Sequence, residues 1–195
     1  MKVFVVYCHP SEQSFTCQVY RQFVRGLREA GHEVIISDLY KMDFCTDMTE
    51  EEYLRETHYR AELPVPEDVR QEQEKIQSSD AVAFIYPVFW TEAPAKLVGW
   101  FDRVWTSGFA YTPNPTMKVL DKALVLACAG KTMDSLAQSG QQQAMTAVML
   151  GDRINERAKE KDIVFFDGIT HWDEETRERL MPAHLERAYR LGLEF

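Results

Sequence analysis

The strongest constraint on the fold is a regular alternation between two kinds of segment. Short apolar runs rich in β-branched and aromatic residues alternate with longer segments that have the periodicity of a helix. This order predicts repeated strand–helix–strand units and a parallel sheet. Most of the apolar runs are hydrophobic almost throughout, which is typical of strands covered by helices on both faces. The candidate strands are residues 3–8, 33–37, 81–86, 123–128 and 163–166.

The residues between these strands contain the signals that begin and end helices. After the first strand, apolar residues recur every four positions up to Gly31, which predicts a crossover helix that ends there. Thr49 and Glu52 have the spacing of a capping box. Thr91 is predicted to cap a helix that has Pro94 in its first turn. Further helices are predicted over residues 67–78, 141–161 and 173–191.

These elements favour one architecture. Because crossovers between parallel strands are right-handed, a doubly wound open sheet fits the order best. A Rossmann domain would have a glycine-rich turn after the first strand, but residues 8–16 contain no glycine,. We therefore predict an α/β fold of the flavodoxin-like class, formed by residues 1–195 as a single domain. Its five-stranded parallel sheet has the order 2-1-3-4-5 with helices on both faces, and its ligand crevice lies beyond the carboxyl ends of the central strands.

The distribution of charge disfavours several classes of partner. The chain has 22 basic and 31 acidic residues and a formal net charge of −9, and residues 43–80 hold twelve acidic against four basic residues. An acidic surface repels phosphate backbones and anionic membranes, so we expect no binding to nucleic acid. We interpret residues 43–80 as a solvated acidic helical face.

Neither a membrane span nor a disulfide framework is expected. The longest apolar run, residues 81–90, is shorter than the roughly 20 residues that cross a bilayer,. The first residues lack the pattern of a secretory signal, so we expect a cytoplasmic location. The four cysteines form no Cys-x-x-Cys pair and the five histidines have no metal-ligand spacing. We therefore predict reduced thiols and no metal site.

The loop after the first strand has the composition of an anion-binding loop. It runs from His9 to Thr16 and leads directly into a helix. Free amides at the helix start, hydroxyl groups and the helix dipole can together hold a phosphate without a lysine. Ser14 and Thr16 are the candidate donors, and His9 can add a hydrogen bond or a positive charge. The alternative interpretation is an N-cap serine beside a loop histidine.

The loops after the third and fourth strands suit a planar ligand. Phe89 and Trp90 lie in a proline-stiffened loop where they can form an aromatic wall, although loop aromatics also occur as peripheral core. Ala129 and Gly130 are small enough to let backbone amides approach a ligand. Farther along, the density of aromatic residues exceeds what one helix face needs. We expect Phe109 and Tyr111 to be partly exposed, and an exposed aromatic patch beside a crevice commonly marks a partner surface or a substrate lid. Trp105 belongs to the same aromatic stretch.

Three ordered motifs within residues 1–130 resemble the flavodoxin-fold NAD(P)H:quinone oxidoreductases. That family includes DT-diaphorase, the modulator-of-drug-activity quinone reductases and the ancillary reductases of potassium efflux systems. The motifs are His9-Pro10-x-x-x-Ser14-Phe15, Tyr86-Pro87-Val88-Phe89-Trp90, and Pro94-Ala-x-Leu97-x-Gly99-Trp100-Phe-Asp-Arg-Val104 followed by Gly108-Phe-Ala-Tyr111.

The resemblance implies a flavin enzyme with a ping-pong cycle, in which NAD(P)H reduces the flavin and a quinone then reoxidises it in the same pocket. It assigns the flavin phosphate to Ser14, Phe15 and Thr16, with His9 nearby. Ala129 and Gly130 are assigned to one edge of the isoalloxazine ring. The rest of the ring is assigned to backbone groups of Pro87, Val88, Phe89, Trp90 and Thr91. Members of the family usually form homodimers in which partner aromatics close each pocket, a role that the resemblance gives to Trp105, Phe109 and Tyr111.

The sequence departs from the family pattern after the fourth strand. Relatives commonly have Gly-Gly where Ala129-Gly130 stands here. Residues 131–161 contain neither tyrosine nor histidine, so Lys131 or a backbone amide would have to stabilise charge on the reduced flavin. The length of the chain favours FMN, while FAD and the choice between NADH and NADPH stay open. The alternative functions are an ancillary flavoprotein subunit of a membrane transporter and a flavodoxin-type electron carrier.

Overall fold

Five parallel strands form the sheet at the centre of the molecule. The structure, a computed structural model, describes residues 1–112, 114–170 and 173–195. The strands are β1 (Lys2–Tyr7), β2 (Glu33–Asp38), β3 (Ala81–Pro87), β4 (Leu120–Cys128) and β5 (Ala158–Phe166). They lie in the order β2-β1-β3-β4-β5, with every neighbouring pair parallel. This confirms the predicted doubly wound α/β fold.

Helices cover both faces of this sheet. They are α1 (Phe15–Glu29), α2 (Glu50–Thr57), α3 (Glu67–Ser78), α4 (Ala95–Val104), α5 (Met133–Gln138), α6 (Gln141–Thr146) and α7 (Glu174–Leu193). Residues of α1 and α7 share one apolar core with the sheet. Residues of α3, α4 and α6 share the other. The capping box predicted at the start of α2 is present, because Thr49 Oγ1 accepts from the Glu52 amide and the Glu52 carboxylate accepts from the Thr49 amide.

Close packing between α1 and α7 depends on two glycines. A Cβ atom added at Gly26 would lie 2.2 Å from the carbonyl oxygen of Tyr189, and one added at Gly192 would lie 2.1 Å from that of Phe23. Both contacts are far shorter than a normal carbon–oxygen contact, so any other side chain would push the helices apart. The α1–α7 contact thus requires glycine on each side.

The prediction of one helix over residues 141–161 is wrong. The α-helix ends at Thr146, a π-helical segment follows over Ala147–Ile154, and a short 3-10 turn covers Asn155–Arg157. The strand β5 then begins at Ala158, which pairs with Leu120 of β4. Residues 159–162 alternate in charge and are exposed at the edge of the sheet, where charged side chains are well tolerated. The strand predicted over residues 163–166 is thus the second half of β5, and the polarity of residues 159–162 concealed its first half.

The acidic segment, residues 43–80, is only in part the solvated face expected from the sequence. Glu72 is fully buried, and the Trp100 indole Nε1–H donates to its carboxylate at 2.9 Å. Glu52 is also buried and accepts from Arg103 Nε at 2.8 Å. These two carboxylates are internal counter-charges, because burial of a charge requires hydrogen-bonded partners. The expectation of a solvated face is wrong for them.

We predict that Gly192→Ala destabilises the protein, because the added Cβ meets backbone that cannot move aside. The expected loss in the free energy of unfolding is about 1–3 kcal/mol, the usual cost of overpacking, measured by urea denaturation. Gly151→Ala is the matched control, since nothing lies within 4 Å of the added atom. Equal stability of the two variants would contradict the close approach of α1 and α7.

Candidate functional site

The loops that the sequence singled out meet at one edge of the sheet. The central strands β1, β3 and β4 are neighbours; β3 and β4 end together at the pair Pro87 and Cys128, and β1 ends slightly earlier, opposite Ile85. Beyond the ends of β3 and β4 lies a cavity of about 640 Å³. Six of the predicted residues line it: Val88, Trp90, Thr91, Ala129, Gly130 and Lys131. Ligands of doubly wound sheets bind at this position, outside the carboxyl ends of the strands.

The start of α1 offers backbone donors rather than a free serine hydroxyl. Ser14 caps the helix: its Oγ accepts from the Cys17 amide at 3.0 Å and donates to the Ser11 carbonyl at 2.9 Å. The amides of Phe15 and Thr16 lie in the first turn, where a helix has no carbonyl of its own to offer them. No acidic side chain occupies this turn. The arrangement therefore suits an anion bound by amides at the positive end of the helix dipole.

The Thr16 side chain does not face this anion position. It is buried at 1% exposure, beside the buried thiol of Cys128. Burial raises the pKa of the Cys128 thiol to about 12, so the thiol stays protonated at neutral pH. The backbone amide of Thr16 therefore remains a candidate donor to a phosphate, whereas its hydroxyl does not.

His9 is held as a neutral donor at the end of β1. Its Nδ1 accepts a hydrogen bond from the Ser11 amide at 2.9 Å. Burial is the largest influence on the pKa of His9, and it lowers that pKa. The neutral ring then has its proton on Nε2, the nitrogen that a ligand can use as a donor.

The turn between β3 and α4 is strained and presents an aromatic ring to solvent. Phe89 and Glu92 exchange two backbone hydrogen bonds, of 2.8 and 2.9 Å. The two residues between them, Trp90 and Thr91, have φ angles of 52° and 67°, which costs a residue other than glycine about 1–3 kcal/mol. Trp90 is fully exposed, so it is not peripheral core. The turn holds its indole beside the cavity.

Thr91 does not cap α4, and that prediction is wrong. The helix begins at Ala95 after Pro94, with no side-chain hydrogen bond at its cap. The left-handed backbone of Thr91 instead directs its hydroxyl across the cavity, where it accepts from Nε2 of Gln141.

Gln141 connects this turn to the loop after β4. Its Oε1 accepts from Lys131 Nζ at 2.7 Å and from Ser139 Oγ at 2.9 Å. The sequence pattern indicates Lys131 but not Gln141, which lies at the start of α6 and reaches the cavity through the fold. Four further lining residues carry no sequence signal for the site: Thr132, Ser135, Leu136 and Thr170. Nothing in their spacing distinguishes them from ordinary loop and helix positions.

The three downstream aromatics are bound within their own chain rather than at the cavity. Phe109 is buried at 8% exposure, so the expectation of an exposed ring is wrong for it. The Trp105 indole donates to the Arg153 carbonyl at 2.6 Å. The half-buried Tyr111 donates its hydroxyl to Glu56 at 2.6 Å. A role for these side chains between two subunits stays a prediction.

Other site classes lack support in the part of the chain that the structure describes. In residues 1–112, 114–170 and 173–195, no group of three His, Cys, Asp or Glu side chains is arranged to hold a metal ion. The four cysteines are free, three of them buried. No helix within these same ranges is long and apolar enough to cross a membrane.

Comparison with known proteins defines the class. A family model described as a flavodoxin-like fold matches residues 1–155, and the chain belongs to that family. Within it, the chain is similar to the NAD(P)H:quinone oxidoreductase from Methanothermobacter marburgensis, with 42% sequence identity and a TM-score of 0.93 over 100% of this chain and 95% of that one. The resemblance to flavodoxin-fold NAD(P)H:quinone oxidoreductases is thereby confirmed.

More distant relatives share part of the chain or the fold alone. A ribosyldihydronicotinamide dehydrogenase-like protein of Penicillium crustosum is 36% identical over 123 residues, which are 57% of this chain and 46% of that protein. The FMN complex of an FMN-dependent NADH-azoreductase from Bacillus anthracis matches with a TM-score of 0.65 and 19% identity over 98% of this chain and 100% of that one. It shares the fold. The chain spans about half the length of the curated relatives it matches.

We predict that the strain at Trp90 is measurable as a difference between two variants. Trp90→Gly and Trp90→Ala both remove the exposed ring, but only glycine adopts a positive φ without steric cost. The glycine variant should be more stable than the alanine variant by about 1 kcal/mol, by thermal or urea unfolding. If alanine proves as stable as glycine, the left-handed turn is not the conformation in solution.

Proposed function

We propose that the protein is a flavin-dependent oxidoreductase that transfers two electrons from NAD(P)H through bound flavin to a quinone or a similar acceptor, in a ping-pong cycle. One observation carries the proposal: a helix start that suits an anion, an exposed aromatic turn and a cavity of about 640 Å³ all lie at the carboxyl edge of the sheet, with the start of α1 next to the cavity rather than in its lining. That combination suits a ligand with a phosphate at one end and a planar ring at the other. Membership of the flavodoxin-like family supports the same proposal.

The residues at this edge fit such a cofactor. The Phe15 and Thr16 amides would hold its phosphate, with the Ser14 cap shaping the turn and the Nε2–H of His9 nearby. Backbone groups of residues 87–91 and of residues 129–130 would hold the ring. When bound, flavin supplies the redox chemistry that these side chains lack. The protein binds and orients the reactants and limits the access of water.

FMN is the favoured cofactor, and NADH or NADPH the electron donor. The FMN in the complex of a neighbour with the same fold supports this choice. We further propose that residues 1–195 act as one domain, in the cytoplasm, as a homodimer in which Trp105, Phe109 and Tyr111 contribute to the subunit interface. No further observation favours a transporter subunit or an electron carrier.

The first test is a visible spectrum of the purified protein with added FMN or FAD. We expect the flavin bands to bleach under anaerobic NADPH, because NADPH reduces the cofactor. The bands should return on addition of menadione, because the quinone reoxidises it. Denaturation then releases the cofactor for identification. Bound flavin without menadione turnover would favour a partner-binding role, and failure to take up either flavin would contradict the proposal.

A second test concerns Lys131 and the reduced cofactor. A nearby ammonium group stabilises negative charge that develops on the ring, and its exposure limits the effect. We expect Lys131→Met to slow flavin reduction by NADPH about three- to tenfold at low salt, measured by stopped-flow absorbance. Lys159→Met, which removes a lysine at the opposite end of the sheet, is the control. An unchanged rate in Lys131→Met would exclude this role.

A further inference from the structure

A row of hydrogen bonds crosses the cavity from one loop to the other. Lys131 Nζ donates to Gln141 Oε1 at 2.7 Å, and Gln141 Nε2 donates to Thr91 Oγ1. Thr91 belongs to the turn after β3, Lys131 to the loop after β4, and all three residues line the cavity. We call Lys131, Gln141 and Thr91 the donor row.

The ammonium group fixes the direction of this row. Turning the Gln141 amide over would place its NH₂ group against the NH₃⁺ of Lys131, two donors facing each other. The carbonyl end therefore faces the lysine and the NH₂ end faces Thr91. Because the Thr91 oxygen accepts from that NH₂, its own hydroxyl proton is left to be donated. The remaining N–H groups of Lys131 are donors as well.

The donor row has no acidic neighbour among the described lining residues. In a chain of net charge −9, the described side chains around this cavity include one cation, Lys131, and no carboxylate. The nearby polar side chains are hydroxyls, on Thr132, Ser135 and Thr170. Such a wall favours ligand atoms that accept hydrogen bonds, and it favours a negatively charged acceptor group over a neutral one.

We propose that the donor row is an anion-selective subsite that makes the protein prefer electron acceptors with a carboxylate or sulfonate group over neutral acceptors of the same shape. This rests on the proposed function and specifies its substrate class. Lys131 supplies the charge, Thr91 a second donor, and Gln141 is the positioning residue that sets both. An effect of Lys131 on the flavin changes the binding of charged and neutral acceptors equally. It therefore cancels in the ratio of their dissociation constants.

The test compares anthraquinone-2-carboxylate with the uncharged anthraquinone-2-carboxamide. Their dissociation constants are measured by calorimetry at low salt, with FMN in the cell, for the wild type and three variants. Lys131→Met should reduce the preference for the carboxylate about five- to tenfold. This is the usual contribution of a hydrogen bond to a charged group, reduced because Lys131 is exposed to solvent. Gln141→Glu keeps the lysine and the side-chain shape but places a negative charge beside it, and it should reduce the preference similarly.

Lys159→Met is the control for net charge. Lys159 is exposed at the start of β5, paired with Asp121, at the end of the sheet opposite the cavity. The Lys159→Met variant should prefer the carboxylate as strongly as the wild type does. Added salt should reduce the preference of the wild type for the carboxylate toward that of Lys131→Met. An unchanged preference in both Lys131→Met and Gln141→Glu overturns the proposal, as does an equal loss in Lys159→Met.

The outcome for the proposed function is read separately. Menadione reduction by the wild type tests the oxidoreductase, whereas the ratio of dissociation constants requires no turnover. A protein that fails to reduce menadione but keeps a lysine-dependent preference would refute the proposed function and retain only the anion-selective binding by the donor row. Circular dichroism of each variant verifies that it is folded.

Discussion

The position of the candidate site depends on the burial of β3 on both faces. Every residue of this strand is buried, and its neighbours β1 and β4 are nearly as apolar. A strand enclosed in this way cannot slip in register without exposing its side chains or leaving backbone groups unpaired. The fixed register brings the ends of three neighbouring strands to the same edge of the sheet, so three loops distant in sequence leave that edge side by side. The packing of the core therefore determines the geometry of the site.

The parts of the fold that could be predicted are those in which the local signal and the tertiary environment agree. Central strands have continuous apolar runs because both of their faces are covered, and the capping box of α2 is a local interaction. Prediction failed where the environment overrides the local pattern. The charged start of β5 has a helix-like composition and becomes a strand through pairing with β4. Glu72 belongs to a polar segment and is buried because Trp100 reaches it from another helix.

The candidate site shows the same division. The motif residues around the cavity could be recognised because backbone and small side chains at strand ends follow from the sheet order. Gln141 could not, since a glutamine at a helix start has no distinctive signal and acquires its role only when α6 packs beside the turn after β3. The left-handed backbone of Thr91 is equally hidden, because threonine rarely adopts it. Strain of this kind is typical of positions where function outweighs local preference.

The glycine contact between α1 and α7 has a consequence for how the chain is made. One helix follows the first strand and the other is the last helix described, so ribosomal synthesis completes the first long before the second exists. Until α7 emerges, the face of the sheet that it shares with α1 is incompletely covered in the nascent chain. Contacts so distant in sequence form late and slow the final step of folding. During that interval an apolar face that α7 covers in the folded protein is exposed, and such transient exposure favours aggregation.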